Sequence, residues 1–149
     1  MNALVQNAAR WEPMADIPET PCADFKLKSS ESGTLELTLR YSWIAGNKMD
    51  LALNFSDVRA IRTHWDGDGD GPLAPEPPRC TGAHSMFIWP LLLVAPSRWL
   101  ASDNFAASIS IAEALAEEPW QHYRVLTLER SLDVLARGAI DGAWASPSA

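Results

Sequence analysis

The fold of this chain is decided by the stretch LELTLRYSWIAGNKMDLALNF, residues 35–55. Apolar residues occupy every second position from Leu35 to Tyr41, and the same alternation returns from Met49 to Phe55. A period of two is typical of a strand that buries one face and exposes the other. Because the short loop AGNK separates the two runs, we predict an antiparallel hairpin.

The strand pattern continues on both sides of this hairpin. Further strands are predicted over residues 25–28, 58–65, 86–94, 120–128 and 131–136. Residues 54–57 are expected to form a turn before the strand that begins at Val58. The side chains on one face change parity between Ala60 and Ile61, which predicts a β-bulge or a strand that is partly covered on both faces. Pro90 interrupts the apolar run 86–94 and is expected at a bulge or an edge.

The segment between residues 103 and 118 has a helical pattern. Phe105 and Ile109 fall on one apolar stripe, and Pro119 ends the pattern. A short strand over 109–111 is the alternative.

The fold class that follows is α+β: a single domain dominated by an antiparallel β-sheet, with one or two helices. A chain of 149 residues is expected to form one domain. Residues 1–24, which contain three prolines, are expected to form a loosely structured N-terminal arm. Residues 25–142 are expected to form the α+β domain, and residues 143–149 are expected to be a frayed tail.

Composition limits the partners. The formal net charge is −7, which argues against nucleic acid and suits a basic protein partner. Cys22 and Cys80 lie in no metal-binding or redox motif, and the N-terminus has no secretory pattern, so a reducing cytoplasm is expected. The longest apolar run, residues 86–95, is about half a membrane span, so no membrane association is expected.

The most unusual run is WDGDGDGP, residues 65–72. Asp66, Asp68 and Asp70 have the spacing of the first three ligands of a calcium loop, and Gly follows them as in that motif. The twelfth position, where the bidentate Glu belongs, is Pro77, and Glu76 is one place early. The alternatives are therefore a calcium or other metal site that uses the three Asp, and a flexible acidic loop that binds no cofactor.

No stretch carries a recognisable catalytic motif. There is no Gly-x-Ser-x-Gly, no phosphate-binding Gly-rich loop and no dinucleotide fingerprint. His64 and His84 flank the acidic run, and if they converged with Asp66 they could hold a transition metal. The chain is predicted not to be an enzyme.

Four short motifs carry a family resemblance: NFSDV at 54–58, PSRWL at 96–100, HYRV at 122–125 and LDVLA at 132–136. They resemble a group of small bacterial proteins, some of which are immunity proteins to secreted toxins. The resemblance implies a non-enzymatic protein that binds a toxin, and it implies no catalytic residues. The acidic run lies outside these motifs.

The acidic run and the resemblance together give a functional hypothesis. Many secreted toxins are basic nucleases, and an acidic inhibitor with an aromatic anchor can steer onto such a surface. The partner-binding residues predicted on this basis are Trp65, Asp66, Asp68, Asp70 and Glu76.

Overall fold

The computed structural model describes residues 5–44, 47–65, 77–102, 105 and 118–145. They form one seven-stranded antiparallel sheet with the order β1-β5-β6-β7-β4-β3-β2. The strands are β1 (Ala8–Arg10), β2 (Asp24–Ser29), β3 (Leu35–Ile44), β4 (Asn47–His64), β5 (Leu91–Val94), β6 (Gln121–Leu126) and β7 (Ser131–Ala145). The prediction of a fold dominated by an antiparallel sheet is confirmed.

The β3–β4 hairpin forms as the alternation predicts. Leu37 pairs with Leu53 and Leu39 pairs with Leu51, and all four side chains are fully buried. The intervening side chains lie on the other face, where Thr38 is only partly buried. Burying a Leu contributes about 1.5–3 kcal/mol, so these positions fix the register of the pair.

The predicted turn at residues 54–57 is wrong, because β4 continues through it as one strand. Two register shifts against β7 occur instead, between Phe55 and Asp57 and between Val58 and Ala60. The second shift lies immediately before the change of parity at Ala60 and Ile61, so the predicted bulge is present but begins one to two residues earlier. An extra residue in one strand is absorbed by bending rather than by ending the ladder.

A glycine on β7 allows the first of these two register shifts, the one between Phe55 and Asp57. Gly138 has φ of +82°, a conformation that other residues adopt only with strain. It lies opposite Ser56, whose hydroxyl donates to the carbonyl of Ala139 at 3.0 Å. Pairing with β4 extends along β7 to Ala145, so residues 143–145, which the sequence predicts to be part of a frayed tail, belong to a strand.

The sheet curls until its far edge meets the turn after β6. Cys22, just before β2, forms a parallel bridge with Thr127, and its carbonyl accepts the N–H of Leu128 at 3.1 Å. The Arg130 guanidinium donates to Asp24 at 2.8 Å. These contacts enclose the core on the concave side of the sheet.

The N-terminal arm lies on this core. The ring of Trp11 is 4.6 Å from that of Tyr123, centroid to centroid, and Ile17 is buried. Met14 lies against Gly142, where the Cβ of any larger residue would come within 2.9 Å of the Met14 sulfur. A side chain at position 142 would therefore push the Met14 side chain aside.

The apolar run 86–94 is a strand only over its second half, β5. Pro90 has no N–H to donate, and the ladder begins immediately after it. The preceding residues form a small hairpin in which Arg79 bridges Ile88, with a 3₁₀ turn at Gly82–His84.

The predicted helix between residues 103 and 118 falls almost entirely outside the described residues. The one or two helices of the predicted fold class are therefore not shown; in the described part, the 3₁₀ turn is the one delimited helical element. No helix in that part is both long enough and apolar enough to cross a membrane.

Candidate functional site

A cluster of polar side chains is buried on the face of β6 and β7 that points away from the core. Alternation along β6 places His122 and Arg124 on this face, and Asp133 of β7 pairs directly with Arg124. The exposed fractions of the three residues are 0%, 1% and 0%. Charged side chains are almost never buried so completely unless they are paired.

Asp133 is the centre of the cluster. Its Oδ1 is 2.6 Å from His122 Nε2 and accepts the Nε–H of Arg124 at 2.8 Å. Its Oδ2 lies 3.4 Å from Nε2 of His64 on β4, a contact with the geometry of an ion pair rather than of a hydrogen bond. Cationic or imidazole groups on two neighbouring strands thus surround one buried carboxylate.

The segment after β5 completes the cluster. The Ser97 hydroxyl is 2.7 Å from His122 Nδ1 and accepts the N–H of Leu100 at 3.1 Å. The Trp99 ring meets the His122 imidazole edge-on at 5.7 Å, and the Arg62 guanidinium lies 4.0 Å from the Trp99 ring centroid. The segment is therefore held to the sheet through His122.

Opposing effects act on the pKa of Asp133. Burial alone raises this pKa, but the hydrogen bond from His122 and the charge and hydrogen bond of Arg124 outweigh burial, so the pKa lies below its usual range. The ionised carboxylate requires a proton on His122 Nε2. A neutral imidazole then accepts the Ser97 O–H at Nδ1.

Acid should remove the stabilisation that Asp133 provides. Because its pKa in the folded protein is below the unfolded value of about 3.9, its contribution is fully present above that value and is lost as the pH falls through the folded pKa. The difference in unfolding free energy between wild type and Asp133→Asn, measured in urea, is expected to be larger at pH 7 than at pH 3, because the contribution of the ionised Asp133 is lost as the pH falls below about 4. An equal difference at pH 3 and pH 7 would contradict this assignment.

The chain of contacts from the Ser97 hydroxyl through the His122 imidazole to the Asp133 carboxylate resembles a catalytic triad of nucleophile, base and orienting acid. The hydroxyl and the imidazole are closed off from solvent in the described structure, since Ser97 is 6% exposed and His122 is fully enclosed. The serine oxygen also accepts a backbone N–H, which leaves it poorly placed to attack a substrate. The cluster is best explained as a structural network that joins β6, β7 and the segment after β5.

The sequence did not predict that these side chains form one network, although three of the short motifs contain its members. Ser97, His122 and Asp133 each belong to a different one of the motifs that carry the family resemblance, PSRWL, HYRV and LDVLA. The fold brings these three motifs into contact.

The predicted binding residue Trp65 is at the surface, with 74% of its area exposed. It follows the end of β4 and lies beside the turn after β6. The Arg130 guanidinium lies 5.6 Å from the Trp65 ring centroid and 3.9 Å from that of Phe25, and it is fixed by Asp24. The other predicted binding residues, Asp66, Asp68, Asp70 and Glu76, lie outside the described residues.

More exposed apolar side chains surround the same turn. Leu128 is 51% exposed and shares a shallow depression with Trp65. On its other side, Leu128 faces Met86 and Phe87, which are 73% and 36% exposed, across a groove. Contiguous exposed apolar groups of this kind mark interaction surfaces more often than isolated ones do.

The described residues contain no group of three or more His, Cys, Asp or Glu that could hold a metal ion. The metal site predicted at Asp66, Asp68 and Asp70 lies outside those residues. Cys22 and Cys80 are both buried thiols. Burial raises the pKa of Cys22 to about 12, and it also raises the pKa of Cys80, so neither thiol has the character of a nucleophile.

Comparison with protein families, with curated proteins and with solved structures found no match to this chain in any of the three.

Proposed function

We propose that this chain is a non-enzymatic protein-binding module that neutralises a basic bacterial toxin domain. The observation that carries the proposal is the exposed apolar surface around the turn after β6, formed by Trp65, Leu128, Met86 and Phe87. Aromatic and apolar anchors of this type supply most of the binding energy in protein interfaces.

The charge of the chain supports a basic partner. The formal net charge is −7, and the sequence between Trp65 and Pro77 contains Asp66, Asp68, Asp70 and Glu76 but no Lys or Arg. Complementary charge accelerates association and rejects wrong partners, while the apolar anchors slow dissociation. An inhibitor of a lethal enzyme needs both properties.

The buried network favours binding over catalysis. Its one hydroxyl–imidazole–carboxylate array is closed to a substrate, because the imidazole of His122 is fully enclosed. The exposed surface around Trp65 offers contact area instead of a reactive group.

Charge reversal of Asp66, Asp68 and Asp70 to Lys tests the proposal. The purified chain would be titrated against catalytically inactivated, basic toxin domains encoded in its source genome, and its protection of cells that express the active toxin would be scored. The wild-type chain is expected to bind one such domain and restore growth. The triple variant is expected to associate about 10–1,000-fold more slowly at low salt and to lose protection.

The matched control places the same three charge changes elsewhere. Glu31, Glu36 and Asp141 are exposed acids. Glu31 and Glu36 lie near the C-terminal end of β2, far from the Asp24–Arg130 contact at its N-terminal end. Their reversal to Lys should alter association far less. If the wild-type chain neutralises none of the toxin domains, the proposal fails. If both triple variants lose affinity equally, the acidic run is not the contact surface.

A further inference from the structure

The sulfur atoms of this chain differ sharply in their access to solvent. Cys22 and Cys80 are 0% and 2% exposed, and both belong to the hydrophobic core. Met14 is half-buried, with its sulfur against Gly142. Met86, in contrast, is 73% exposed. Among the sulfur-containing side chains that the structure describes, Met86 is therefore the one that a small solute in water reaches most easily.

The exposure of Met86 is fixed by the backbone of its hairpin. The Arg79 guanidinium donates to the Met86 carbonyl at 2.8 Å, and the N–H of Phe87 donates to the His84 carbonyl at 2.9 Å. The N–H of Cys80 donates to the Phe87 carbonyl at 2.9 Å, which pairs the two arms of the hairpin. Turning the Met86 side chain into the core would break these bonds, so its exposure is a property of the fold.

Met86 also lies in the wall of the apolar groove. Residues 86–88 form this wall, and residues 126–128 form the wall opposite. Leu128 and Phe87 are 51% and 36% exposed there. Arg79 also lines the groove, but its guanidinium donates to a carbonyl of the same wall. A polar atom added to the Met86 side chain would therefore enter a mainly apolar contact surface.

The chemistry of a thioether favours Met86 over the two cysteines as the target of an oxidant. A thiol reacts as its thiolate, and burial raises the pKa of both Cys22 and Cys80. A thioether needs no ionisation. With hydrogen peroxide, an S–O bond forms as the O–O bond breaks, and the proton on the transferred oxygen passes to the departing hydroxide, which leaves as water. The sulfur loses two electrons to the peroxide and becomes a sulfoxide.

We propose that Met86 is a site of reversible oxidation by peroxides, and that its sulfoxide weakens the binding of a partner at the groove. The sulfoxide is polar, so burying it against an apolar group of the partner leaves its oxygen without a hydrogen bond. Methionine sulfoxide reductases restore the thioether. This inference rests on the proposed function, since it assigns a regulation to the surface that binds the partner.

Mass spectrometry of the full-length chain treated with hydrogen peroxide tests the site. In the native protein, Met86 is expected to form the sulfoxide at least about twofold faster than Met14, while Cys22 and Cys80 stay reduced. In urea that unfolds the chain, the two methionines should react at similar rates, because the fold no longer shields Met14. Equal rates in the native protein, or oxidation of a thiol before Met86, would overturn the assignment.

Methyl NMR shows the effect on the groove without a partner. Oxidation of the wild type is expected to shift the methyl signals of Leu128, which lies across the groove, and to leave those of Leu37 in the core unchanged. Met86→Leu has no sulfur at this position, so peroxide should leave its Leu128 signals in place. Unchanged Leu128 signals in the oxidised wild type would contradict the inference.

A matched pair of variants tests the regulation. Met86→Leu and Met14→Leu each remove one thioether and keep an apolar side chain. Peroxide is expected to lower the affinity of the wild type for the toxin domain that it neutralises about tenfold, and a methionine sulfoxide reductase should restore it. Met14→Leu should respond as the wild type does, whereas Met86→Leu should keep its affinity.

Failure of the inference differs from failure of the proposed function. An affinity that peroxide leaves unchanged in the wild type, or lowers equally in Met86→Leu, would overturn the inference and leave toxin neutralisation standing. If the wild type binds no toxin domain, the proposed function fails and the regulation of that partner fails with it. Selective oxidation of Met86 together with shifted Leu128 signals would then establish the oxidation site alone.

Discussion

Replacing Asp133 with Ala is expected to lower the free energy of unfolding by about 3–5 kcal/mol, because it leaves a buried guanidinium without its carboxylate. Arg124 is 1% exposed, and its Nε–H would lose its acceptor at 2.8 Å. The His122 Nε2 would lose its partner at the same time. Urea unfolding at pH 7 measures the change.

The control is the partly exposed pair of Asp57 and Arg137. Its Nε–Oδ2 distance is 2.7 Å, but the Asp57 side chain is 44% exposed. Water screens such a pair, so Asp57→Ala should cost less than about 1 kcal/mol. If the two Ala variants had the same stability, burial would not be the reason that Asp133 matters.

Replacing Trp89 with Ala is expected to cost about 3–5 kcal/mol through the cavity that it leaves. Trp89 is fully buried, and its indole N–H donates to the Trp11 carbonyl at 3.0 Å. The Arg10 guanidinium lies 3.5 Å from the centre of its ring and pairs with Glu19. The side chain thus joins the N-terminal arm to the rest of the fold.

Two measurements separate these contributions. Trp89→Phe retains most of the ring but removes the donor to Trp11, so it should cost about 1–3 kcal/mol. Hydrogen exchange at the β1 amides should accelerate in Trp89→Ala more than exchange at the β3 amides, because β1 belongs to the arm. Unchanged β1 protection would show that the arm is held by other contacts.

The sequence predicted the strands that alternate regularly. The alternating pattern between Leu35 and Phe55 predicted the hairpin correctly because its period of two is preserved. Each apolar side chain on the buried face stabilises the strand independently of its neighbours in the chain. The prediction of a turn at residues 54–57 was wrong because it considered only the local residue types. Asn54 and Ser56 resemble turn residues locally, but pairing with β7 on one side keeps the backbone extended through a bulge.

The candidate surface could be predicted only in part. Trp65 was identified from its place beside the acidic run, and 74% of its area is exposed in the structure. Leu128, Met86 and Phe87 were assigned to strands and were not recognised, because each alone resembles a core residue. Their exposure follows from a turn at residues 127–130 and a hairpin at residues 79–88, and neither has a strong signal in the sequence.

The sequence by itself determined the alternating strands, the bulge in β4 and the acidic character, since these depend on residues close together in the chain. Tertiary structure alone decided which separate motifs meet: Ser97 with His122 and Asp133, and Leu128 with Met86 and Phe87. The physical reason is that whether a polar group is paired, and whether an apolar group is covered, depends on neighbours that are distant in sequence and that only the curled sheet brings together.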